Sequence, residues 1–198
     1  MKSKPIIFVD FDGTICFDKY WRSLSPRDFE VVQSFIFGKE STLVNDWMRG
    51  KYTAEEVNSM LADKIGMPFM KLWELFVRDC ETMHIHEDVL NKLNSLRTKY
   101  TVILITGNMD SFTRFTVPSL HLDRYFDHIN NSFFAGKLKE DSKGVLFTEY
   151  ATSLNVPINE CFLIDNSPKA CMSFVNLGGT SYQITPENDI TYFLEKLS

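Results

Sequence analysis

The sequence predicts an α/β fold in which a parallel sheet is covered by helices on both sides and a helical insertion follows the first strand. Three short runs of apolar residues, 5–9, 101–105 and 161–164, indicate buried strands because they are continuous rather than alternating. The segments between these runs carry helical periodicity. The first of them is too long for a simple strand–helix–strand unit, so we predict a separate cap.

Composition and charge limit the classes of protein that this chain can represent. A hydrophobic content of 44% and a charged content of 24% are typical of a globular protein. The net charge of −5 argues against a nucleic-acid partner, because binding to a phosphate backbone needs a basic face. The first apolar run stops at Asp10, short of a signal peptide or a membrane span. We therefore expect a cytoplasmic protein that binds neither nucleic acid nor membrane, and its oligomeric state cannot be predicted.

Cysteine and histidine positions do not indicate a zinc site. The four cysteines are scattered and include no Cys-x-x-Cys pair, which fits reduced thiols better than a disulfide framework. His84 and His86 could share one face of a strand, but a helix begins just after His86 and no third ligand is near in sequence. We therefore predict no metal ligand among the histidines.

The first strand ends in the segment Asp10-Phe11-Asp12-Gly13-Thr14. This order of residues is typical of a buried strand that delivers acidic groups into a turn at its carboxyl end. Open α/β sheets place their ligand sites at that edge. Asp10 and Asp12 lie two residues apart on an extended segment, so both carboxylates project to the same side.

Helical signals run from Ser25 to about Cys80. Ser25-Pro26 and Thr53-Ala54-Glu55-Glu56 are typical helix starts, and Gly50 and Gly66 are typical stops. After this insertion the chain returns to strand patterns at 101–105, at 128–134, which is less regular, at 161–164 and at 181–184. Helices are predicted between these strands and at the end of the chain.

The segment Asp10-x-Asp12-Gly13-Thr14, followed in order by three further motifs, resembles the first motif of the haloacid dehalogenase (HAD) superfamily. Most members of that superfamily are magnesium-dependent phosphatases and phosphotransferases. The resemblance implies a Rossmann-like core at 1–16 and 95–198, with a flap and a helical cap at 17–94. It also implies that Asp10 is a nucleophile that forms an aspartyl-phosphate. Asp12 would protonate the leaving group and then activate water.

The later motifs supply the remaining site residues. Thr106-Gly107-Asn108 follows the second strand, where the superfamily holds phosphoryl oxygens with a hydroxyl and adjacent backbone N–H groups. The third motif is a lysine at or near a helix start. Three lysines compete for this role: Lys137, Lys139 and Lys143. We choose Lys143, because Ser142 is a plausible N-cap and places Lys143 on the first helical turn.

The fourth motif corresponds to Asp165 and Asn166. Many members of the superfamily have two acids here, whereas this chain has one acid and one amide. By the resemblance, Mg²⁺ would be bound by Asp10, by the backbone carbonyl of Asp12, by Asp165 and by Asn166. A carbonyl in place of a carboxylate weakens the charge that holds a hard cation.

Together these features predict a Mg²⁺-dependent phosphatase that acts on a small phosphorylated metabolite. Two alternatives stay open: a phosphotransferase of the sugar-phosphate mutase type, and a non-catalytic protein that binds a phosphorylated ligand. Dehalogenation is disfavoured by Asp12, since a halide leaving group needs no proton. The substrate cannot be predicted, although we expect Arg22 in the flap to contact a second anionic group.

Overall fold

A five-stranded sheet forms the centre of the computed structural model, which describes residues 3–197. The strands are β1 (Ile6–Val9), β2 (Thr101–Thr106), β3 (His128–Asn131), β4 (Cys161–Asp165) and β5 (Thr180–Gln183). Their order in the sheet is β3-β2-β1-β4-β5, and every neighbouring pair is parallel. The predicted parallel sheet is therefore confirmed, and its central strand is the one that precedes Asp10.

The helices follow the predicted segments closely. They are α1 (Pro26–Phe37), α2 (Leu43–Trp47), α3 (Ala54–Ile65), α4 (Phe69–Glu81), α5 (Glu87–Leu96), α6 (Val117–Ser119), α7 (Ser132–Ala135), α8 (Val145–Ser153), α9 (Pro168–Asn176) and α10 (Ile190–Leu197). A π-helical turn spans Phe112–Thr116, and 3₁₀ turns span Leu122–Arg124, Asp141–Lys143 and Ile158–Glu160. Thr53 forms the predicted capping box with Glu56, and Gly66 ends α3 with a φ of 67°.

The two faces of the sheet pack into separate apolar clusters, because successive side chains of a strand point to opposite faces. Ile7 and Val9 of β1 belong to the larger cluster, which also contains buried residues of α1–α5 and α10. Ile6 and Phe8 belong to the smaller cluster, formed with α8 and α9. Helices thus cover both faces of the sheet, which is why its strands read as continuous apolar runs.

Helices α1–α4 form the insertion that the sequence predicts after the first strand. Their interior includes Trp21, which stacks on Phe76 with ring centroids 4.7 Å apart. The following helix, α5, packs against α10 at the other end of the chain. We therefore propose to count α5 with the core and to place the end of the cap before Glu87, somewhat earlier than residue 94.

Two local predictions need correction. The strand expected at 128–134 ends at Asn131, because the Asn131 side chain accepts a hydrogen bond from the Phe133 N–H and begins α7. The helix expected to begin at Ser142 begins at Val145 instead. Ser142 and Lys143 have φ values of 50° and 60°, so neither lies on the first turn of that helix.

None of the helices within residues 3–197 combines the length and the apolar character that a bilayer crossing requires.

Candidate active site

Three polar residues converge at the carboxyl edge of the sheet. Asp10 follows β1, Thr106 ends β2 and Asp165 ends β4, and β1 lies between the other two strands. The Asp10 N–H donates to the Ile164 carbonyl over 3.0 Å, which fixes Asp10 beside Asp165. All three side chains are buried. The structure thus brings together residues that the sequence separates by more than 150 positions.

The lysine at this edge is Lys139, which lies on the loop after α7. Its Nζ is 2.7 Å from Asp10 Oδ1 and 2.5 Å from Asp165 Oδ2, and the side chain is buried. The choice of Lys143 among the three candidates is therefore corrected. Lys143 is exposed, and Lys137 pairs with Glu149 on α8.

The charges of this cluster do not balance. Burial alone would lower the pKa of Lys139, but the carboxylates of Asp10 and Asp165 more than offset it and raise that pKa above its usual value. Burial, together with the negative charge of Asp10, raises the pKa of Asp165. With Asp12 included, three carboxyl groups surround one buried ammonium group, and the second ammonium that acts on Asp12, that of Lys19, is exposed. The site therefore favours a further positive charge or the protonation of one acid.

Asp12 is the acid whose environment favours protonation. Burial and the charge of Asp10 raise the pKa of Asp12 to about 7, and the charges of Lys19 and Lys139 oppose this shift. The Asn108 amide Nδ2 donates to Asp12 Oδ2 over 2.8 Å. A carboxyl group with a pKa near neutrality can both give and accept a proton at physiological pH.

Asn108 connects Asp12 to the flap. Its Oδ1 accepts hydrogen bonds from the Tyr20 hydroxyl, at 2.8 Å, and from the Met109 N–H, at 2.9 Å. Its backbone N–H donates to Ser132 Oγ over 3.0 Å. We expected Asn108 to bind substrate, whereas these contacts make it a residue that positions Asp12. The chain of hydrogen bonds Tyr20–Asn108–Asp12 was not predicted, because Tyr20 lies 88 residues from Asn108.

Two buried threonine hydroxyls near the sheet edge, those of Thr106 and Thr14, lack a hydrogen-bond partner within the described part of the chain. A buried hydroxyl without a partner carries a desolvation cost that a bound oxygen would remove. Gly107 follows Thr106, and a Cβ built on it would lie 3.4 Å from Leu138 of the lysine loop. The second motif thus lies against the loop that carries Lys139.

The donors at the sheet edge fit a hard divalent cation. Asp10 and Asp165 both contact Lys139 Nζ, so their carboxylates are close together. Asn166 packs closely against the turn at Gly13. A Cβ atom built on Gly13 would lie 2.2 Å from the Asn166 amide nitrogen, and the φ angle of Gly13 is +71°. Within residues 3–197, no three side chains of His, Cys, Asp or Glu lie in an arrangement that could hold a metal ion by themselves. A cation here would therefore need amide or main-chain oxygens in addition to two carboxylates, which magnesium accepts.

Arg22 has a different set of partners from the one expected. Its guanidinium donates to the Asp79 carbonyl over 2.6 Å and to the carbonyl of Thr82 over 2.8 Å. A third bond reaches Thr82 Oγ1. These bonds tie the flap to the end of α4 and engage both terminal nitrogens of Arg22, the pair that would grip a substrate anion.

No protein-family model and no curated protein sequence matches this chain. Solved structures do match it. One is a HAD family enzyme from Bacteroides thetaiotaomicron in complex with magnesium and inorganic phosphate, with a TM-score of 0.74 and 17% identity over 96% of this chain and 98% of that one. Another is a predicted HAD-like family hydrolase from Porphyromonas gingivalis, with a TM-score of 0.76 and 20% identity over 99% and 98% of the two chains.

An L-2-haloacid dehalogenase from Xanthobacter autotrophicus with covalently bound chloropropionic acid also matches, with a TM-score of 0.63 and 14% identity. The alignment covers 93% of this chain and 80% of that one. The fold of this chain is therefore the HAD fold, as the sequence motifs predict. The matching structures include more than one chemistry, so the fold does not define the reaction.

Proposed function

We propose that this protein is a HAD-type phosphatase, a Mg²⁺-dependent phosphoric monoester hydrolase that acts on a small phosphorylated metabolite. The observation that carries this proposal is the pairing of Asp10 with Lys139 beside a second acid, Asp12, whose pKa is near 7. A halide leaving group needs no proton, whereas the alkoxide of a phosphate ester does. The magnesium and phosphate found in one structural relative are in keeping with this reaction.

In the proposed reaction the Asp10 carboxylate attacks phosphorus, and the bond from phosphorus to the ester oxygen breaks. The Asp12 carboxyl gives its proton to the departing oxygen, so the alcohol leaves neutral. Asp12, now ionised, takes a proton from water, and the resulting hydroxide attacks the aspartyl-phosphate. Phosphate leaves, the Asp10 carboxylate is restored and Asp12 is protonated again.

Charge compensation comes from residues around the nucleophile. Lys139, held 2.7 Å from Asp10, supplies a fixed positive charge to the phosphoryl oxygens. The unpartnered Thr106 hydroxyl can donate to one of those oxygens. Magnesium would be held by Asp10, the Asp12 carbonyl, Asp165 and Asn166. When bound, it would reduce the electrostatic repulsion between the Asp10 carboxylate and the negatively charged phosphate ester.

Two features support the proposed location and size of the substrate. The cavity beside Asp12 has a volume of about 320 Å³, at the lower end of the range for small-molecule sites. The four cysteines are free and buried, as expected for the cytoplasm that we propose as the compartment.

The test is phosphate release from a broad panel of phosphorylated metabolites, with magnesium and with a chelator, for the wild type beside Asp10→Asn. We expect release only by the wild type and only with magnesium. Equal release by Asp10→Asn would overturn the proposal. If phosphate appears on an acceptor molecule and not in solution, the protein is a phosphotransferase.

A further inference from the structure

The cavity beside Asp12 contains polar groups that neither the proposed chemistry nor the fold uses. It is bounded by Asp12 and Gly13 below, by Lys19 and Tyr20 of the flap, and by Gln33 and Phe37 of α1. The alcohol part of the substrate, which takes a proton from Asp12 as it leaves phosphorus, must occupy this space. The following inference rests on the proposed phosphatase function and specifies its substrate.

Lys19 is the charged group of this cavity that lacks a structural role. Its backbone carbonyl accepts from Arg22, but within the described residues its ammonium has no hydrogen bond and no ion pair. Asp18, the neighbouring acid on the cavity wall, is engaged by the backbone N–H of His84 over 2.8 Å. The Lys19 charge also acts on Asp12, so it lies near the reacting end of the cavity.

The cavity lining also includes apolar side chains. Phe37, the last residue of α1, is 43% exposed, and Met109 is buried. Gln33, one turn before Phe37, adds an amide that also has no partner in the described chain. An exposed aromatic side chain and an exposed ammonium, unpaired within residues 3–197, line one cavity and match a ligand with an apolar body and an anionic substituent.

We propose that Lys19, Gln33 and Phe37 form the site for the leaving group, and that the substrate is a small phosphate monoester whose alcohol carries an anionic group. Lys19 binds the anion, which is a carboxylate or a second phosphate. Phe37 covers the apolar body, and Gln33 binds a hydroxyl or carbonyl. The volume of about 320 Å³ suits a small alcohol.

The test compares matched esters on one body: phenyl phosphate, 4-carboxyphenyl phosphate and 1,4-phenylene bisphosphate. For the wild type we expect kcat/KM to be at least tenfold higher for one of the two charged esters than for phenyl phosphate, as for a charge-assisted contact. Whichever ester is preferred identifies the anion. In Lys19→Gln this ratio should fall to about one, and in Lys71→Gln, which removes an exposed charge on α4, the ratio should stay as in the wild type. The ratio cancels any effect of Lys19 on Asp12.

A binding measurement separates failure of this inference from failure of the proposed function. Benzylphosphonate and its 4-carboxy and 4-phosphonomethyl derivatives cannot be hydrolysed, and calorimetry with magnesium gives their dissociation constants. If turnover is absent but a charged phosphonate binds tenfold more tightly and Lys19→Gln abolishes the difference, the site is right and the reaction is wrong. If esters are hydrolysed with no preference for either anion, or if Lys19→Gln keeps the preference, the inference is overturned.

Discussion

Lys139 is the residue on which the charge balance of the site depends. Its ammonium lies within 2.7 Å of two buried carboxylates, those of Asp10 and Asp165. Removing one partner of a buried ion pair leaves an uncompensated charge, which costs about 3–5 kcal/mol. The same ammonium would face the phosphoryl group during the proposed reaction. Lys139 therefore contributes both to folding and to the proposed chemistry.

We expect Lys139→Met to lower kcat for phosphate release by at least about 100-fold, the scale of losing one electrostatic donor to a transition state. Lys143→Met removes the same charge from an exposed position and should change kcat by less than about twofold. Steady-state kinetics with magnesium measures both variants. An active Lys139→Met beside an inactive Lys143→Met would contradict the assignment.

Asn108 positions the acid through one hydrogen bond of 2.8 Å to Asp12. We expect Asn108→Ala to reduce kcat by about tenfold or more for an alkyl phosphate, which needs a proton on its leaving oxygen, within the usual range for general acid catalysis. For 4-nitrophenyl phosphate the loss should be several-fold smaller. Tyr20→Phe, which removes the outer bond of the same chain, should show the same pattern more weakly. Equal losses on both esters would indicate a purely structural role.

Asp12 also makes stability depend on pH in the absence of metal. The environment of Asp12 raises its pKa in the folded protein from the ordinary value of 3.8, which applies to the unfolded chain, to about 7. As pH rises, Asp12 therefore ionises first in the unfolded chain. The stabilising contribution of the protonated acid is complete below about pH 4 and is lost as pH rises through about 7. We expect the free energy of unfolding of Asp12→Asn, measured in chelator, to rise relative to that of the wild type by about 4 kcal/mol between pH 4 and pH 8, since one pKa unit corresponds to about 1.4 kcal/mol.

Urea unfolding at several pH values measures this gain. Asp123→Asn, at an exposed position, should give no such trend. A gain that is already complete at pH 4 would contradict the raised pKa of Asp12.

At the scale of elements, polar contacts anchor the cap to the core at several points, two of which involve a core aspartate. Asp110, just after β2, accepts from Trp47 Nε1 over 2.8 Å and from the Ala54 N–H at the start of α3 over 3.2 Å. At the second point, Arg49 after α2 forms an ion pair of 2.8 Å with Asp141. The Asp141 carboxylate also accepts from the Leu138 N–H, beside Lys139. The position of the cap is thus coupled to the loop that carries the site lysine.

We expect Asp110→Ala to lower the free energy of unfolding by about 2–4 kcal/mol, because it leaves the Trp47 and Ala54 donors without their acceptor and Arg114 without one of its partners. Asp46→Ala removes a carboxylate that pairs with the exposed Lys51 and should cost less than about 1 kcal/mol. Urea unfolding of both variants tests the anchoring. Equal effects would show that Asp110 does not hold the cap.

At the scale of the whole molecule, the sequence predicts the sheet because apolar runs and helix caps are local signals. β1, β2 and β4 and helix α3 lie within a residue or two of their predicted positions. The prediction that Lys143 lies on the first turn of a helix was wrong for a local reason as well. Ser142 has a positive φ, so it does not cap a helix, and no local pattern indicates that the Lys139 side chain turns inward.

Contacts between distant residues could not be predicted from one sequence. The bond from Asn108 to Asp12 joins residues 96 positions apart, and that from Arg22 to Asp79 joins residues 57 positions apart. The ends of β1 and β2 bring Asp12 and Asn108 to one edge, but the direction in which each side chain turns there is not a local signal. The Arg22 bond depends on how the flap packs against α4. The motif aspartates Asp10 and Asp165 were predictable because strand ends of a parallel sheet meet at one edge.

The proposed function requires that Asp10 becomes phosphorylated. The most direct test is acid quenching of the Asp12→Asn variant with magnesium and 4-nitrophenyl phosphate, whose leaving group depends least on a proton from Asp12, followed by mass spectrometry of the peptide that contains Asp10. Asp12→Asn should slow hydrolysis of the acyl-phosphate, so we expect phosphate on Asp10 that is labile to hydroxylamine. Phosphate release by the wild type, with no phosphorylated Asp10 in either protein and full activity in Asp10→Asn, would contradict the account.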